Sequence, residues 1–154
     1  MSNLAPDKWD IRFLQMARLV STWSKDPSTK CGAVIVRPDK SVVSVGFNGF
    51  PRGMSDDSAL YANREEKYSR IIHCEVNALI QAKMDVFGCT LYTWPFMCCD
   101  RCAVQMIQAG ILQFVYPSAT DEALTRWKPA FDKTKKFLWD AQVADNEIAL
   151  EDIP

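Results

Sequence analysis

Apolar residues recur at helical spacing near the start of the chain, over residues 9–23, which predicts an amphipathic helix. Two runs rich in β-branched residues follow at residues 31–36 and 41–47. The Pro-Asp pair in the short connection between them predicts a β-hairpin. Residues 48–69 are polar, contain Gly and Pro turn formers and show no strong periodicity, so this stretch is predicted to be a long loop.

Helix and strand patterns alternate along the rest of the chain. The predicted helices span residues 75–84, 99–109 and 121–139, and the predicted strands span residues 90–94, 112–116 and, more weakly, 143–150. Pro129 is expected to interrupt or restart the last helix, because proline lacks the backbone N–H. Alternating helices and strands favour a sheet covered on both faces, and the hairpin makes that sheet mixed. The sequence therefore predicts an α/β fold, a three-layer α/β/α sandwich with a mixed central sheet of about five strands.

Length and composition narrow the class of protein. The 154 residues fit a single domain, residues 1–154. Lys and Arg number 18 against 19 Asp and Glu, and the isoelectric point is about 5.8, whereas dedicated nucleic-acid binders usually carry a basic excess. No apolar run approaches the roughly 20 residues that cross a bilayer. Six cysteines without a secretory signal predict thiols or metal ligands in a reducing compartment, with the cytoplasm as the expected location.

Two short motifs, each at the start of a predicted helix, carry the candidate chemistry. The single histidine of the chain, His73, stands two residues before Glu75, and Cys99 stands three residues before Cys102. A Cys-x-x-Cys pair at a helix start directs both sulfurs to one position, where the helix N-terminus favours thiolates. Three protein ligands leave one tetrahedral position for water, as in catalytic Zn²⁺ sites. Glu75 is then placed to transfer protons between water and substrate.

Plainer interpretations of each motif remain open. A lone histidine is more often a surface or core residue, and a glutamate in the first turn of a helix complements the helix dipole. The cysteine pair alone is also compatible with a redox pair, or with half of a structural zinc site that draws on Cys31, Cys74 or Cys89. The combination is more specific, because His-x-Glu followed by Cys-x-x-Cys is the pattern of zinc-dependent deaminases.

Residues 9–143 resemble the deoxycytidylate (dCMP) deaminases of the cytidine deaminase superfamily, in a bacterial or phage-like branch. The segments that carry the resemblance are SKDPSTKCGA at 24–33, GFNGFPRG at 46–53, EKY at 66–68, HCEVNA at 73–78 and TWPFMCCDRCA at 93–103. The resemblance implies zinc-dependent hydrolysis of dCMP to dUMP and ammonia, feeding thymidylate synthesis, in the cytoplasm or, for a phage-encoded protein, the host cytoplasm.

The resemblance also implies roles for individual residues. His73, Cys99 and Cys102 would hold the zinc ion, and Glu75 would be the general acid and base. The backbone of Cys74 would lie against the edge of the pyrimidine, and Asn48 against the sugar hydroxyl. For the substrate phosphate we predict Lys25 first and Arg52 second, although both are also compatible with solvated surface cations.

The segment that contains Gly46, Phe47, Asn48 and Gly49 has a second role in many dCMP deaminases. There it helps to bind a regulatory nucleotide at a subunit interface, with dCTP and Mg²⁺ activating and dTTP inhibiting, and such enzymes are typically homohexamers. The resemblance therefore implies dCTP and dTTP as regulators and a hexamer as the assembly. The alternative is a loop in which glycine and proline only form turns.

Three cysteines depart from the family pattern, since Cys31, Cys74 and Cys98 stand where valine, alanine and proline are usual. Small buried thiols behave like small apolar residues, so the fold should tolerate them. Cys98, however, is a competitor of Cys99 for the metal. The three-residue spacing of Cys99 and Cys102 on one helical face favours Cys99.

Two other functions compete with dCMP deamination. One is deamination of a free nucleoside or of a base in nucleic acid, which would require flanking contacts in a basic groove. The other is a zinc-binding module without catalysis, in which Glu75 would be dispensable.

Overall fold

The structure is a computed structural model that describes residues 6–154. The first five residues lie outside it, and part of the expectation that the chain has no secretory signal rests on them. The helices are α1 Lys8–Ser21, α2 Ser58–Ala62, α3 Arg64–Arg70, α4 Cys74–Ala82, α5 Asp100–Gln108 and α6 Asp121–Ala141, followed by a short 3₁₀ helix Leu150–Asp152. The strands are β1 Gly32–Val36, β2 Val42–Phe47, β3 Thr90–Trp94, β4 Gln113–Pro117 and β5 Ala144–Ile148. Within the described residues, no helix is both long and apolar enough to cross a membrane.

The five strands form one sheet in the order β2-β1-β3-β4-β5. Strand β1 is antiparallel to both β2 and β3, so that Ala33 lies opposite Gly46 on one side and Thr93 on the other. Strands β3, β4 and β5 are parallel, and each is joined to the next by one helix. The predicted mixed sheet of five strands is confirmed, including the opening hairpin.

Helices cover both faces of the sheet, because successive residues of a strand point to opposite sides. On one face, α1 packs its buried side chains against β1, β3 and β4, in a cluster that includes Phe13, Leu14, Ala17, Val34, Tyr92 and Val115. On the other face lie α4, α5 and α6, in a cluster that includes Ala78, Met106, Leu138, Ile35, Leu91 and Phe114. The predicted three-layer sandwich is therefore confirmed.

The prediction of a long loop over residues 48–69 is wrong in its second half, where the chain forms α2 and α3. Asp57 caps α2 by accepting a hydrogen bond from the backbone N–H of Ala59 at 2.9 Å, and Asn63 caps α3 by accepting one from Glu66 at 3.2 Å. Helices of five and seven residues are too short to show an apolar repeat in the sequence.

The predicted interruption at Pro129 is also wrong, because α6 continues through this residue as one helix. The residues that follow Pro129 include the buried Phe131, Thr134 and Leu138, and the Thr134 hydroxyl donates to the carbonyl of Cys98 at 2.9 Å. This packing offsets the cost of about 3 kcal/mol that an interior proline imposes on a helix.

Candidate active site

The first residues of α4 and α5 meet at the end of the sheet where β3 finishes. His73 and Cys99 are the residues that immediately precede these helices, and neither side chain caps its own helix. The Nδ1 atom of His73 lies 3.5 Å from the Sγ atom of Cys99 and 3.3 Å from that of Cys102. The structure therefore brings together the three residues predicted to bind zinc, and their ligand atoms all lie within 4.8 Å of one another.

These three donors fit a zinc ion in both chemistry and spacing. In a tetrahedral site with Zn–N of about 2.05 Å and Zn–S of about 2.3 Å, the nitrogen and each sulfur are about 3.5 Å apart. The two separations in the structure, 3.5 Å and 3.3 Å, are close to this value. Among the described residues, this is the one group of three or more histidine, cysteine or acidic side chains close enough to hold a metal ion.

The two cysteines of the group affect the ionisation of each other. A hydrogen bond from the Cys102 thiol and a second contact with His73 lower the pKa of Cys99 to about 4. The neighbouring Cys98 and Cys99 in turn raise the pKa of Cys102, since a second thiolate at this place would lack a counter-charge. A divalent cation held by His73, Cys99 and Cys102 would supply that counter-charge and stabilise both thiolates.

Cys98 is excluded from this group by its position. Its side chain is buried, and the burial raises the pKa of its thiol to about 12. The ligand atoms that lie within 4.8 Å of one another belong to His73, Cys99 and Cys102, and Cys98 is not among them.

Glu75 lies in the first turn of α4 and is almost fully buried, with 6% of its surface exposed. Burial is the main cause that raises the pKa of its carboxyl group, and the neighbouring charge of Cys99 raises it further. A carboxyl group whose pKa is shifted towards neutrality exchanges protons more readily at physiological pH than an exposed one. Glu75 is therefore suited to carry protons next to the metal-binding group.

Gly46 fixes the start of α4 against the sheet. A Cβ atom at this position would lie 2.3 Å from the backbone nitrogen of Ala78 and 2.4 Å from the carbonyl oxygen of Cys74. Strand β2 therefore approaches the backbone of α4 more closely than any side chain allows. This contact holds the helix that carries His73 and Glu75.

A solvent-open cavity lies over His73, Glu75 and Cys99. One wall is aromatic: the ring centre of Phe96 lies 6.1 Å from that of Trp127 and 5.3 Å from that of Phe131. Cys31 and the buried Cys74 also line the cavity. Such a cavity, apolar on one side and with polar groups at one end, suits a flat aromatic ligand.

Another part of the cavity lining is polar, and its side chains are hydrogen-bonded to one another. Lys67 and Asp26 form a buried ion pair at 2.9 Å. The amide nitrogen of Asn48 donates to the Asp26 carboxylate at 3.2 Å and to the carbonyl of Thr29 at 2.9 Å, and its Oδ1 accepts from the backbone N–H of Cys31 at 2.8 Å. These bonds fix the orientation of the Asn48 carboxamide at the cavity surface.

Lys25 and Arg52, the residues predicted to bind the phosphate, lie outside this cavity. They line a separate depression together with Phe47, Gly49 and the shared Asn48. The exposed Lys25 forms an ion pair with Asp56, and Arg52 donates to the Oε1 atom of Gln81 at 2.7 Å. The assignment of Lys25 and Arg52 to the phosphate stays a prediction. The depression also contains Phe47, Asn48 and Gly49 of the segment predicted to bind a regulatory nucleotide.

Comparison with known proteins agrees with this geometry. A family model described as the cytidine and deoxycytidylate deaminase zinc-binding region matches residues 7–118. The chain belongs to this family. It is 49% identical over 120 residues to an uncharacterized deaminase from the luxG 3′ region of Aliivibrio fischeri, an alignment that covers 78% of this chain and 80% of the relative.

Deaminase relatives also occur in animals. A probable deoxycytidylate deaminase of Caenorhabditis elegans is 35% identical over 143 residues, covering 90% of this chain and 69% of the relative. The deoxycytidylate deaminase of mouse is 38% identical over 117 residues, covering 72% of this chain and 65% of the mouse protein.

Solved structures show the same fold in a deaminase that is distant in sequence. The dCMP deaminase of cyanophage S-TIM5 in its apo form superposes with a TM-score of 0.72 at 22% identity, covering 93% of this chain and 99% of the phage chain. The same phage enzyme in complex with dCMP and dUMP gives a TM-score of 0.69 at 22% identity, covering 89% of this chain and 94% of the phage chain.

Several residues of the cavity were not predicted from the sequence. They are Asp26, Lys67, Tyr68, Phe96, Arg126 and Trp127. Asp26 and Lys67 are 41 residues apart, and Arg126 comes from α6, far along the chain from both metal-binding motifs. Asp26, Lys67, Tyr68 and Phe96 do lie in segments that carry the family resemblance, which is a signal for them. The adjacent Arg126 and Trp127 offered a weaker signal, since a guanidinium group can stack on an aromatic ring and bind anions.

Proposed function

We propose that this protein is a zinc-dependent hydrolase that converts dCMP to dUMP and ammonia. The observation that carries the proposal is the position of Glu75. Its buried carboxyl group opens into the same cavity as the cluster of His73, Cys99 and Cys102. A zinc ion held by three protein ligands keeps a fourth position for water and lowers the pKa of that water to about 7.

Each side chain then has a defined task in the hydrolysis. Glu75 takes a proton from the attacking water and delivers it to N3 of the cytosine ring as the C4–O bond forms. It then moves the proton of the new C4 hydroxyl to the departing amine as the C4–N bond breaks. The Cys74 backbone faces the edge of the ring, and the fixed carboxamide of Asn48 faces the sugar. Phe96, Trp127 and Phe131 pack beside the ring and exclude water from it.

A mononucleotide is favoured over the alternative substrates. Relatives of this chain are named deoxycytidylate deaminases, and a phage enzyme of the same fold binds dCMP and dUMP. The net charge of −1 argues against a nucleic-acid substrate, whose phosphates require a basic groove. A zinc-binding module without catalysis would not require a buried acid beside the metal-binding group.

Regulation and assembly form a second part of the proposal, which rests on family resemblance. In this proposal the depression beside Gly46, Phe47, Asn48 and Gly49 binds dCTP with Mg²⁺ as activator and dTTP as inhibitor, within a homohexamer. The product dUMP supplies thymidylate synthesis in the cytoplasm, or in the host cytoplasm if the chain is phage-encoded. Light scattering of the protein, with and without each triphosphate, tests the assembly.

The decisive experiment measures ammonia release by the zinc-replete protein on dCMP, dCTP, deoxycytidine and a cytosine-containing oligonucleotide. Each substrate is assayed alone, with dCTP and Mg²⁺, and with dTTP. We expect turnover of dCMP, and a change in its rate with the triphosphates. Turnover of only deoxycytidine or the oligonucleotide would overturn the substrate, and no turnover of any of them would favour the zinc-binding module.

A further inference from the structure

His73 and Cys99 each stand directly before a helix, and that helix holds the backbone carbonyl of each. The His73 carbonyl accepts a hydrogen bond from the N–H of Asn77 at 3.0 Å, and the Cys99 carbonyl accepts one from the N–H of Ala103 at 2.9 Å. These bonds belong to the first turns of α4 and α5. They fix each of the two metal-binding residues on the side of its own helix.

A second hydrogen bond holds each of these two residues from the other side, at the peptide that precedes it. The carbonyl of Ile72 accepts the backbone N–H of Gly49 at 3.1 Å. The carbonyl of Cys98 accepts the hydroxyl of Thr134, on α6, at 2.9 Å. A carbonyl and the N–H of the next residue share one planar peptide unit, so each bond also orients the residue that follows. At Cys98 the donor is a side chain, which a substitution can remove.

Thr134 is fully buried, with 0% of its surface exposed, and its hydroxyl bonds outside its own helix. Threonine inside a helix commonly donates to the carbonyl four residues earlier. Thr125, an exposed residue of the same helix, does so, to the carbonyl of Asp121 at 2.9 Å. A buried hydroxyl requires a partner, and Thr134 has it in the loop that carries Cys99 rather than in α6.

The loop 95–99, between β3 and α5, depends on buried hydroxyl groups for its hydrogen bonds. The buried Thr93, on β3, donates to the carbonyl of Phe96 at 2.8 Å. Cys98 is buried as well, and across residues 6–154 its carbonyl has no backbone donor. Loss of the Thr134 hydroxyl would therefore leave a buried carbonyl unpaired directly beside a metal-binding residue.

We propose that Thr134 is a positioning residue for the metal site, whose hydroxyl holds the Cys98–Cys99 peptide in the orientation that keeps the Cys99 sulfur in the zinc-binding group. The proposal rests on the proposed function for the presence of zinc. Thr134 does not line the cavity and is not one of the three metal-binding residues, so it acts through Cys99. In this way α6 contributes to metal retention without supplying a ligand.

The test measures release of zinc rather than turnover. The zinc-loaded protein is mixed with an excess of the chromogenic chelator 4-(2-pyridylazo)resorcinol, and the absorbance gives the rate constant of zinc loss. We expect Thr134→Val, which keeps the size of the side chain and removes the hydroxyl, to lose zinc about 10-fold faster than the unaltered protein. Thr134→Ala removes the same hydroxyl and should also lose zinc faster. Thr134→Ser keeps the hydroxyl and should restore the rate of the unaltered protein.

Two control variants separate this role from a general loss of stability. Thr125→Val removes a hydroxyl that bonds within α6 and should leave zinc release unchanged. Val36→Ala makes a cavity in the core on the α1 face of the sheet, where Val36 pairs with Thr90 at the end of β3 away from the metal-binding group. It should lower the urea unfolding midpoint and leave zinc release unchanged.

Several outcomes would overturn the proposal. Zinc loss at the unaltered rate in both Thr134→Val and Thr134→Ala would do so. Equally fast zinc loss in Val36→Ala would reduce the effect to general destabilisation, and fast loss in Thr134→Ser would show that the hydroxyl is not responsible.

Ammonia release from dCMP by the unaltered protein, recorded on the same preparation, distinguishes the two proposals. If Thr134→Val loses zinc faster but the unaltered protein does not deaminate dCMP, the positioning role stands and the proposed function fails. If the unaltered protein deaminates dCMP and Thr134→Val loses zinc at the unaltered rate, the proposed function stands and the positioning role fails.

Discussion

The ammonium group of Lys67 lies 2.9 Å from the Oδ1 atom of Asp26, and both side chains are buried in the wall of the cavity. Asp26 also accepts hydrogen bonds from the backbone N–H of Ser28 and from the amide of Asn48. The ion pair therefore connects α3 to the loop after α1 and holds the Asn48 carboxamide at the cavity surface. Removing one partner of such a pair leaves a buried charge without compensation.

Lys67→Met should lower the free energy of unfolding by about 3 kcal/mol, because the Asp26 carboxylate loses its counter-ion inside the protein. Lys25→Met is the matched control, since Lys25 pairs with Asp56 on the surface and water replaces that contact. Urea unfolding followed by circular dichroism measures both variants. Equal unfolding midpoints for the two variants would show that the buried pair contributes no more than the exposed one.

Gly46→Ala should prevent stable folding or lower the free energy of unfolding by about 3 kcal/mol, because the new methyl group meets the backbone of α4 at Cys74 and Ala78. Gly49→Ala is a close control in the same segment. Its Cβ would have no neighbour within 4 Å, and its φ is not in the left-handed region. Soluble expression and urea unfolding of both variants separate a packing role of this segment from a purely regulatory one. Equal stability of the two variants would contradict the close contact between β2 and α4.

The predictability of the site from the sequence depends on how local each part is. Cys99 and Cys102 are three residues apart, so their spacing alone places both on one side of a helix start. His73 and Glu75 are two residues apart, so their spacing places both at the start of one helix but not on one face of it. The pair of Asp26 and Lys67 and the approach of Arg126 depend on how distant elements pack, which no local pattern encodes. Lys25 is the reverse case, because its charge is visible in the sequence and its ion pair with Asp56 is not.

The fold, like the site, has parts that local sequence patterns predict and parts that depend on the packing of distant elements. Strands and the longer helices carry a repeat of apolar residues that one sequence window can detect, and the hairpin between β1 and β2 has its own turn residues. Helices α2 and α3 depend on single capping residues, Asp57 and Asn63, and on packing against other elements. The continuity of α6 through Pro129 depends on the burial of side chains that follow it.

Cys99→Ala should lose the metal, while Cys98→Ala should retain about one zinc ion per chain, as expected for a site with three protein ligands. The reason is geometric: Cys99 belongs to the group whose ligand atoms lie within 4.8 Å of one another, and Cys98 does not. Both cysteines are adjacent and both become alanine, so the comparison is closely matched. Zinc measured by atomic emission after dialysis decides the result. Loss of zinc in Cys98→Ala with retention in Cys99→Ala would reverse the ligand assignment.

Glu75→Gln should retain zinc and dUMP binding while kcat for dCMP falls by about a thousandfold, because the amide cannot accept or return a proton. Burial raises the pKa of the Glu75 carboxyl group, so the ionised form costs stability at neutral pH, and the neutral amide does not. The free energy of unfolding at pH 7 should therefore be no lower in Glu75→Gln than in the unaltered protein. Asp121→Asn tests the plainer interpretation, in which an acidic residue in a first helical turn only complements the helix dipole. In that interpretation, both variants lose a little stability and both keep full turnover. Full activity of Glu75→Gln would therefore show that Glu75 does not carry protons for the reaction.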